Sequence, residues 1–240
     1  MSRGIALSVV RALLKAELRD AQVTNSVLDT EYNYALENKQ KDLCNAYDWP
    51  FMEDIWEQGL VQGDRYVNMP TTNIRSIAAT INFERPVVTS VKFNTYYTPV
   101  VYGIGVEQMN ESDSTQDVYQ DPVRRWSMDT NVGDGTSPNQ FEVWPRPASA
   151  QTFRFTGQRA PRALSSDSDV TDLDDLVIVY FVAADYLAMR EMTNAPIVLK
   201  KANERLVMLR AGYPQKTSPP IVFGGQQFEE RRNIKLVAIR

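Results

Sequence analysis

Residues 171–190 read TDLDDLVIVYFVAADYLAMR. Leu173, Leu176, Val177, Tyr180, Phe181, Ala184, Leu187 and Ala188 recur at three- and four-residue steps, the period of one helix face. Ile178, Val179, Val182 and Tyr186 add apolar surface on the other faces. A helix apolar nearly all round is buried on more than one side, so a neighbouring subunit is expected to supply part of its cover. The apolar run Leu176–Ala184 has nine residues, whereas a membrane-spanning helix needs about 20. The stretch is a core helix and no membrane is expected.

Helical periodicity continues on both sides of the chain's middle. After the core helix, Pro196 suits a first helical turn. Leu199, Ala202, Leu206 and Leu209 form a stripe that Gly212 and Pro214 terminate. Near the start, Leu7, Val10, Leu14 and Leu18 make one apolar face. Leu28, Tyr32, Ala35, Leu36, Leu43, Ala46 and Tyr47 make another, with Ser26 and Asp29 spaced like a capping box and Pro50 as the stop. Helices are therefore expected at 5–20, 24–48, 171–193 and 196–211. None would be stable alone, so the four are expected to pack together.

Residues 64–160 differ. Short β-branched and aromatic runs lie between prolines and glycines: Arg65–Met69, Ile74–Phe83, Val87–Tyr97, Val100–Val106, Gln140–Trp144 and Thr152–Gly157. Phe141–Trp144 and Phe153–Gly157 read as a hairpin joined through Pro145–Ser149. Residues 107–121 hold five acids and no base and read as an exposed loop, as do residues 127–139. The expected fold is α+β, with a bundle of N- and C-terminal helices (1–50 and 171–213). A central antiparallel β domain (51–170) is inserted, and an extended tail comes last (214–240).

Composition narrows the chemistry. The 240 residues contain no histidine and one cysteine, Cys44. Histidine-dependent triads, intrachain disulfides and cysteine-rich metal sites are excluded. Cys44 lies beside the apolar stripe of the second helix and reads as a buried small residue. The cluster Asp167, Asp169, Asp172, Asp174 and Asp175 opens like a calcium loop. It then has Asp172 where glycine is needed and Ile178 where the bidentate acid is needed. The acids instead suit the first turn of a helix capped by Thr171. Gly103-Ile104-Gly105 lacks the rest of a nucleotide fingerprint. Tyr96, Tyr97 and Tyr102 could stack on bases, but strand tyrosines more often pack. No catalytic set, cofactor site or metal site is expected, and the protein is expected not to be an enzyme.

Charge is uneven. The net charge is −4, yet residues 200–240 hold nine bases and three acids, a net of +6 that leaves −10 on residues 1–199. Beyond residue 213 the helical period stops, but large apolar residues continue: Ile221, Val222, Phe223, Phe228, Ile234, Leu236, Val237 and Ile239. Arg231, Arg232, Lys235 and Arg240 lie among them. A segment this apolar is expected to dock on another surface, and its bases suit an acidic groove.

Several strings resemble one family. Asn45-Ala46-Tyr47-Asp48-Trp49-Pro50-Phe51 closes the second helix, and Tyr66-Val67-Asn68-Met69-Pro70 opens the β region, with Ile74-Arg75-Ser76-Ile77 shortly after it. Phe141–Pro147 and the run from Arg159 through Asp169 complete the pattern. Together they resemble the head-to-tail adaptors of tailed bacteriophages, the tail tubular protein A or gatekeeper-like connectors, over most of residues 5–212. The resemblance implies a dodecameric, homo-oligomeric ring beneath the portal protein. Tail nozzle or tube protein would lie below it, and DNA would pass through without sequence-specific contact. It implies a protein made in the host cytoplasm and located at the head–tail junction of the virion. Trp49 and Phe51 become packing anchors where the helical and β parts meet. The tail residues Ile221, Val222, Phe223, Phe228, Arg231, Arg232, Ile234, Lys235, Leu236 and Val237 become candidates for docking on the portal or a neighbour. Two alternatives remain: another virion tail component, such as a nozzle or tube protein, and a non-enzymatic nucleic-acid- or glycan-binding module.

Overall fold

The computed structural model describes residues 4–20, 25–111, 118–129 and 139–214. The elements run α1 (Leu7–Glu17), α2 (Ser26–Asn45), β1 (Glu53–Leu60), β2 (Tyr66–Asn68), β3 (Val88–Phe93), β4 (Tyr96–Pro99), β5 (Val101–Tyr102), α3 (Val106–Glu111), β6 (Arg125–Asp129), β7 (Gln140–Trp144), β8 (Gln151–Gln158), α4 (Asp175–Met189) and α5 (Ala195–Gly212). The fold is α+β. The described chain forms two units, residues 4–53 with 159–214, and residues 54–158.

In the first unit the apolar periods become one core. Leu7, Val10 and Leu14 of α1, Tyr32 and Leu36 of α2, and Val177, Ile178, Val182 and Leu187 of α4 are buried together. α4 packs against α5, α1 and α2. Its all-round apolar surface is thus largely covered by its own chain, while Met189 near its end stays exposed. α5 buries Val198, Ala202 and Leu209, while Leu199 is 43% exposed. Ala202, Leu206 and Leu209 thus lie against the core as expected, and Val198 takes the place of Leu199 on the inward stripe.

The helix starts also differ from expectation. Asn25, not Ser26, caps α2, its Oδ1 accepting the Val27 N–H at 3.0 Å. Asp174, not Thr171, caps α4, accepting the Val177 N–H at 3.3 Å. Thr171 is drawn back to pair with the N-terminal segment instead. Its N–H donates to the Ile5 carbonyl at 3.1 Å and its carbonyl accepts from Gly4 at 3.0 Å. The chain from 171 to 174 therefore stays outside the helix and bends at Asp172 and Leu173, and the helix begins only at Asp175.

The second unit contains two four-stranded sheets, ordered β1-β8-β3-β4 and β2-β7-β6-β5. The pairs β3–β4, β3–β8, β2–β7 and β6–β7 are antiparallel, while β5 runs parallel to β6. Their inner faces share a core of Trp56, Val91, Trp126, Phe141, Val143, Phe153 and Phe155. The expected β7–β8 hairpin does not form, since the two strands belong to different sheets. Prolines at 145 and 147 remove N–H donors where a hairpin ladder would continue. The strands meet face to face through their side chains: the Phe141 and Phe153 rings are 5.0 Å apart and those of Phe141 and Phe155 5.3 Å.

Five further expectations change. Val87–Tyr97 is a hairpin, not one strand. β3 and β4 pair Phe93 with Tyr96 across Asn94-Thr95, and Asn94 takes the positive φ of 55° that such a tight turn requires. Ile74–Phe83 is not a strand. The Asn73 Oδ1 accepts the N–H groups of Arg75 and Ile77, at 3.0 and 2.9 Å, and diverts them from any ladder. β1 lies upstream of the first expected strand, because the spacing of Ile55, Trp56 and Leu60 conceals the period of two. Within the expected acidic loop, residues 106–111 form α3, while 112–117 lie outside the described residues. Val100–Val106 shortens to the two residues of β5.

Candidate docking surfaces

The acidic cluster is built into the helical unit. Asp167 pairs with Arg11 at 2.8 Å. Asp169 accepts the backbone N–H groups of Ser166 and Ser165, at 2.6 and 2.8 Å. Those bonds to its charged form hold its carboxyl below the ordinary aspartate value. Asp172 accepts from Arg159 Nη2 at 2.6 Å and from the Arg162 N–H at 2.7 Å. Asp174 takes a two-pronged contact from Arg205, 3.1 and 2.8 Å long. The same hydrogen bonding raises the Arg205 guanidinium above its ordinary value. Asp167, Asp172 and Asp174 each fasten one chain segment to another, and Asp169 closes its own turn, which gives four of the five acids a structural partner. Among the described residues no group of histidine, cysteine and acid side chains could hold a metal ion.

Trp49 and Phe51 lie in an aromatic cluster of the helical unit. Trp49 is fully buried and donates its indole N–H to the Leu43 carbonyl at 3.0 Å. Its ring contacts Tyr47 at 4.6 Å and Phe51 at 5.6 Å, and Phe51 contacts Tyr213 at 5.1 Å. The Tyr47 hydroxyl donates to the Tyr213 carbonyl at 2.8 Å. This cluster anchors the end of α5, from which the tail departs. The candidate docking residues of the tail, from Ile221 to Val237, lie outside the described residues.

The three tyrosines of the β unit do not form one platform. Tyr97 stands on one sheet, with the Arg154 guanidinium 3.8 Å above its ring and its hydroxyl donating to Glu57 at 3.0 Å. Arg154 also holds the Glu57 carboxyl below its ordinary value. Tyr102 stands on the other sheet, edge-on to Trp126 at 5.0 Å. Tyr96 is 78% exposed.

Sequence periodicity missed an open groove of about 320 Å³ between α2 and α4. It is lined by Tyr34, Asn38 and Asp42 from α2 and by Val182, Tyr186 and Met189 from α4. Tyr34 and Met189 are largely exposed apolar side chains. Exposed Ile197, Val207 and Met208 add apolar surface on α5. The sequence carried only a negative signal of the groove: Tyr34 and Met189 fall off the buried stripes of their helices.

These surfaces suit contacts with other proteins, and the comparisons agree. A family model described as SU10 adaptor protein matches residues 7–213, from the start of α1 to the end of α5. The chain belongs to the SU10 adaptor protein family. This is a family of phage head–tail adaptors, so the chain is a structural virion component whose partners are phage portal and tail proteins. No curated protein matches the chain. The family match stops where the tail begins. Among the described residues, no helix is long and apolar enough to cross a membrane.

Proposed function

We propose that this adaptor assembles into a ring between portal and tail, with the channel of the ring passing DNA. The observation that carries the reading is the family match across every helix and strand of the described residues. Physical support comes from the apolar side chains left open on α2, α4 and α5, since ring closure needs two different patches on each copy. The role is non-enzymatic. Trp49 and Phe51 fix the last turn of the helical unit before the chain enters β1, and so act as packing anchors at the point where the chain passes from one unit to the next. The tail from residue 214 docks on the portal or on a neighbouring copy, through the apolar and basic residues between 221 and 240. Its 27 residues extend up to about 90 Å at about 3.3 Å each, enough to leave their own subunit.

Electron microscopy of particles carrying a labelled chain tests the location. Label in a ring at the head–tail junction is expected. Label at the distal tail would select a nozzle or tube role. A chain that stays monomeric, retards DNA and joins no particle would select a binding module. Deletion after Gly212 tests the tail: truncated protein is expected to join portal-containing heads weakly, and undiminished joining would overturn the docking role.

A further inference from the structure

The α2/α4 groove has an apolar floor and an acidic edge. Val182, Tyr186 and Met189 supply apolar surface from α4, and Tyr34 does so from α2. Asp42 stands at one end of the α2 side, exposed and in no ion pair among the described residues. Glu31 lies eleven residues earlier on the same helix, about 16 Å away at about 1.5 Å per residue. Its charge reaches the groove: burial first, and Glu31 second, raise the Tyr186 phenol. The groove's one base, Lys39, is held by Asp185 at 2.8 Å. Neither acid has an ion-pair partner among the described residues, and Arg190, whose charge also reaches Tyr186, is held by Asp20 at 2.7 Å.

The same chain carries a segment of matching chemistry. Residues 231–240 read RRNIKLVAIR, four bases and no acid around Ile234, Leu236, Val237 and Ile239. We propose that this C-terminal segment of one copy docks in the α2/α4 groove of the next copy. The proposal rests on the reading that copies form a ring and that the tail docks. It names the receptor surface. The reach of the tail allows a neighbour, and ring assembly favours one over the same chain. The tail leaves from Tyr213, and its first seven residues, PQKTSPP, contain three prolines. Proline-rich sequences favour extended chains of about 3.1 Å per residue, so a spacer of this length would span about 22 Å. A segment on each copy that fills a groove on the next is a head-to-tail contact, the type that closes rings. The bases would meet Asp42 and Glu31, while Ile234 and Leu236 would cover Tyr186 and Met189.

The test uses full-length chain, an equal mixture of isotope-labelled and unlabelled copies, bound to portal-containing heads. Lysines are coupled to carboxylates by a zero-length reagent, and mass spectrometry reads the links. Lys235 is expected to couple to Asp42 or Glu31 in peptide pairs of mixed isotope. The paired change Asp42→Lys and Glu31→Lys is expected to lower Leu236-to-groove contact several-fold, read by a photo-reactive group at position 236. Links in same-isotope pairs alone would place the segment in its own groove and overturn the proposal. Bound chain with no link between residues 231–240 and the groove would also overturn it, leaving the ring reading intact. Chain that fails to bind heads at all would overturn the adaptor reading itself, and the proposal with it.

Discussion

Gln40, fully buried on α2, accepts the backbone N–H of Asp172 at 2.9 Å, across 132 residues of sequence. Its Nε2 donates to the Arg162 carbonyl at 3.1 Å. One side chain thereby satisfies two backbone groups of the segment that leads into α4. Asp172 completes the clamp by accepting from Arg159 and from the Arg162 N–H.

Replacing Gln40 with Met keeps the bulk and removes both hydrogen bonds. A buried donor and a carbonyl then lose their partner, at a cost of about 2 kcal/mol. Urea denaturation should show a lower midpoint with an unchanged slope.

Asp172→Ala should cost more, about 3 kcal/mol, because the largely buried Arg159 guanidinium loses its counter-charge. The double variant with Arg159→Met should recover part of that loss. A double-mutant cycle measures the coupling; strictly additive losses would mean that the pair does not interact.

Stability should fall in acid partly through Asp20. The Arg190 hydrogen bond leads in lowering its carboxyl below the ordinary value near 3.8, with Tyr32 also donating. A depressed carboxyl stabilises the fold fully above its unfolded value and loses that contribution as pH falls through its folded value. Asp20→Asn should therefore lower the melting temperature at pH 7 and do so much less near pH 2. At the alkaline end, burial first and Asp20 second push the Tyr32 phenol up to about 12. The neutral phenol's contribution is present below pH 10 and disappears as pH rises through about 12.

Cys44 should resist alkylation in the native protein. It is 3% exposed, and burial, reinforced by the charge of Asp172, pushes its thiol well above the ordinary value. Mass spectrometry should find one adduct only after denaturation; rapid labelling of folded protein would contradict this placement.

Phe153→Ala should destabilise the β unit by about 4 kcal/mol, since Phe153 is fully buried against Phe141, Phe155 and Trp126. Near-ultraviolet circular dichroism during denaturation should report the earlier loss of the Trp126 environment.

Local periodicity determined much of this protein without the structure. Leu7, Val10, Leu14 and Leu18 all fall inside as their spacing requires, and the alternation of Phe153 and Phe155 around Arg154 marks the inner face of β8. The strings around Trp49, Tyr66 and Phe141 carried the adaptor family. These readings succeed because helix and strand periods arise from backbone geometry within a few residues. Other features depended on partners far along the chain. Gln40 is buried because it meets backbone from residues 162 and 172. β7 and β8 are separated because two sheets stack their aromatic faces. Asp174 displaces Thr171 as a cap because Thr171 pairs with Ile5. The α2/α4 groove exists only once two helices 130 or more residues apart lie side by side, leaving Tyr34 and Met189 uncovered. No local pattern encodes such meetings, since their energy comes from surfaces that become neighbours only in the folded chain.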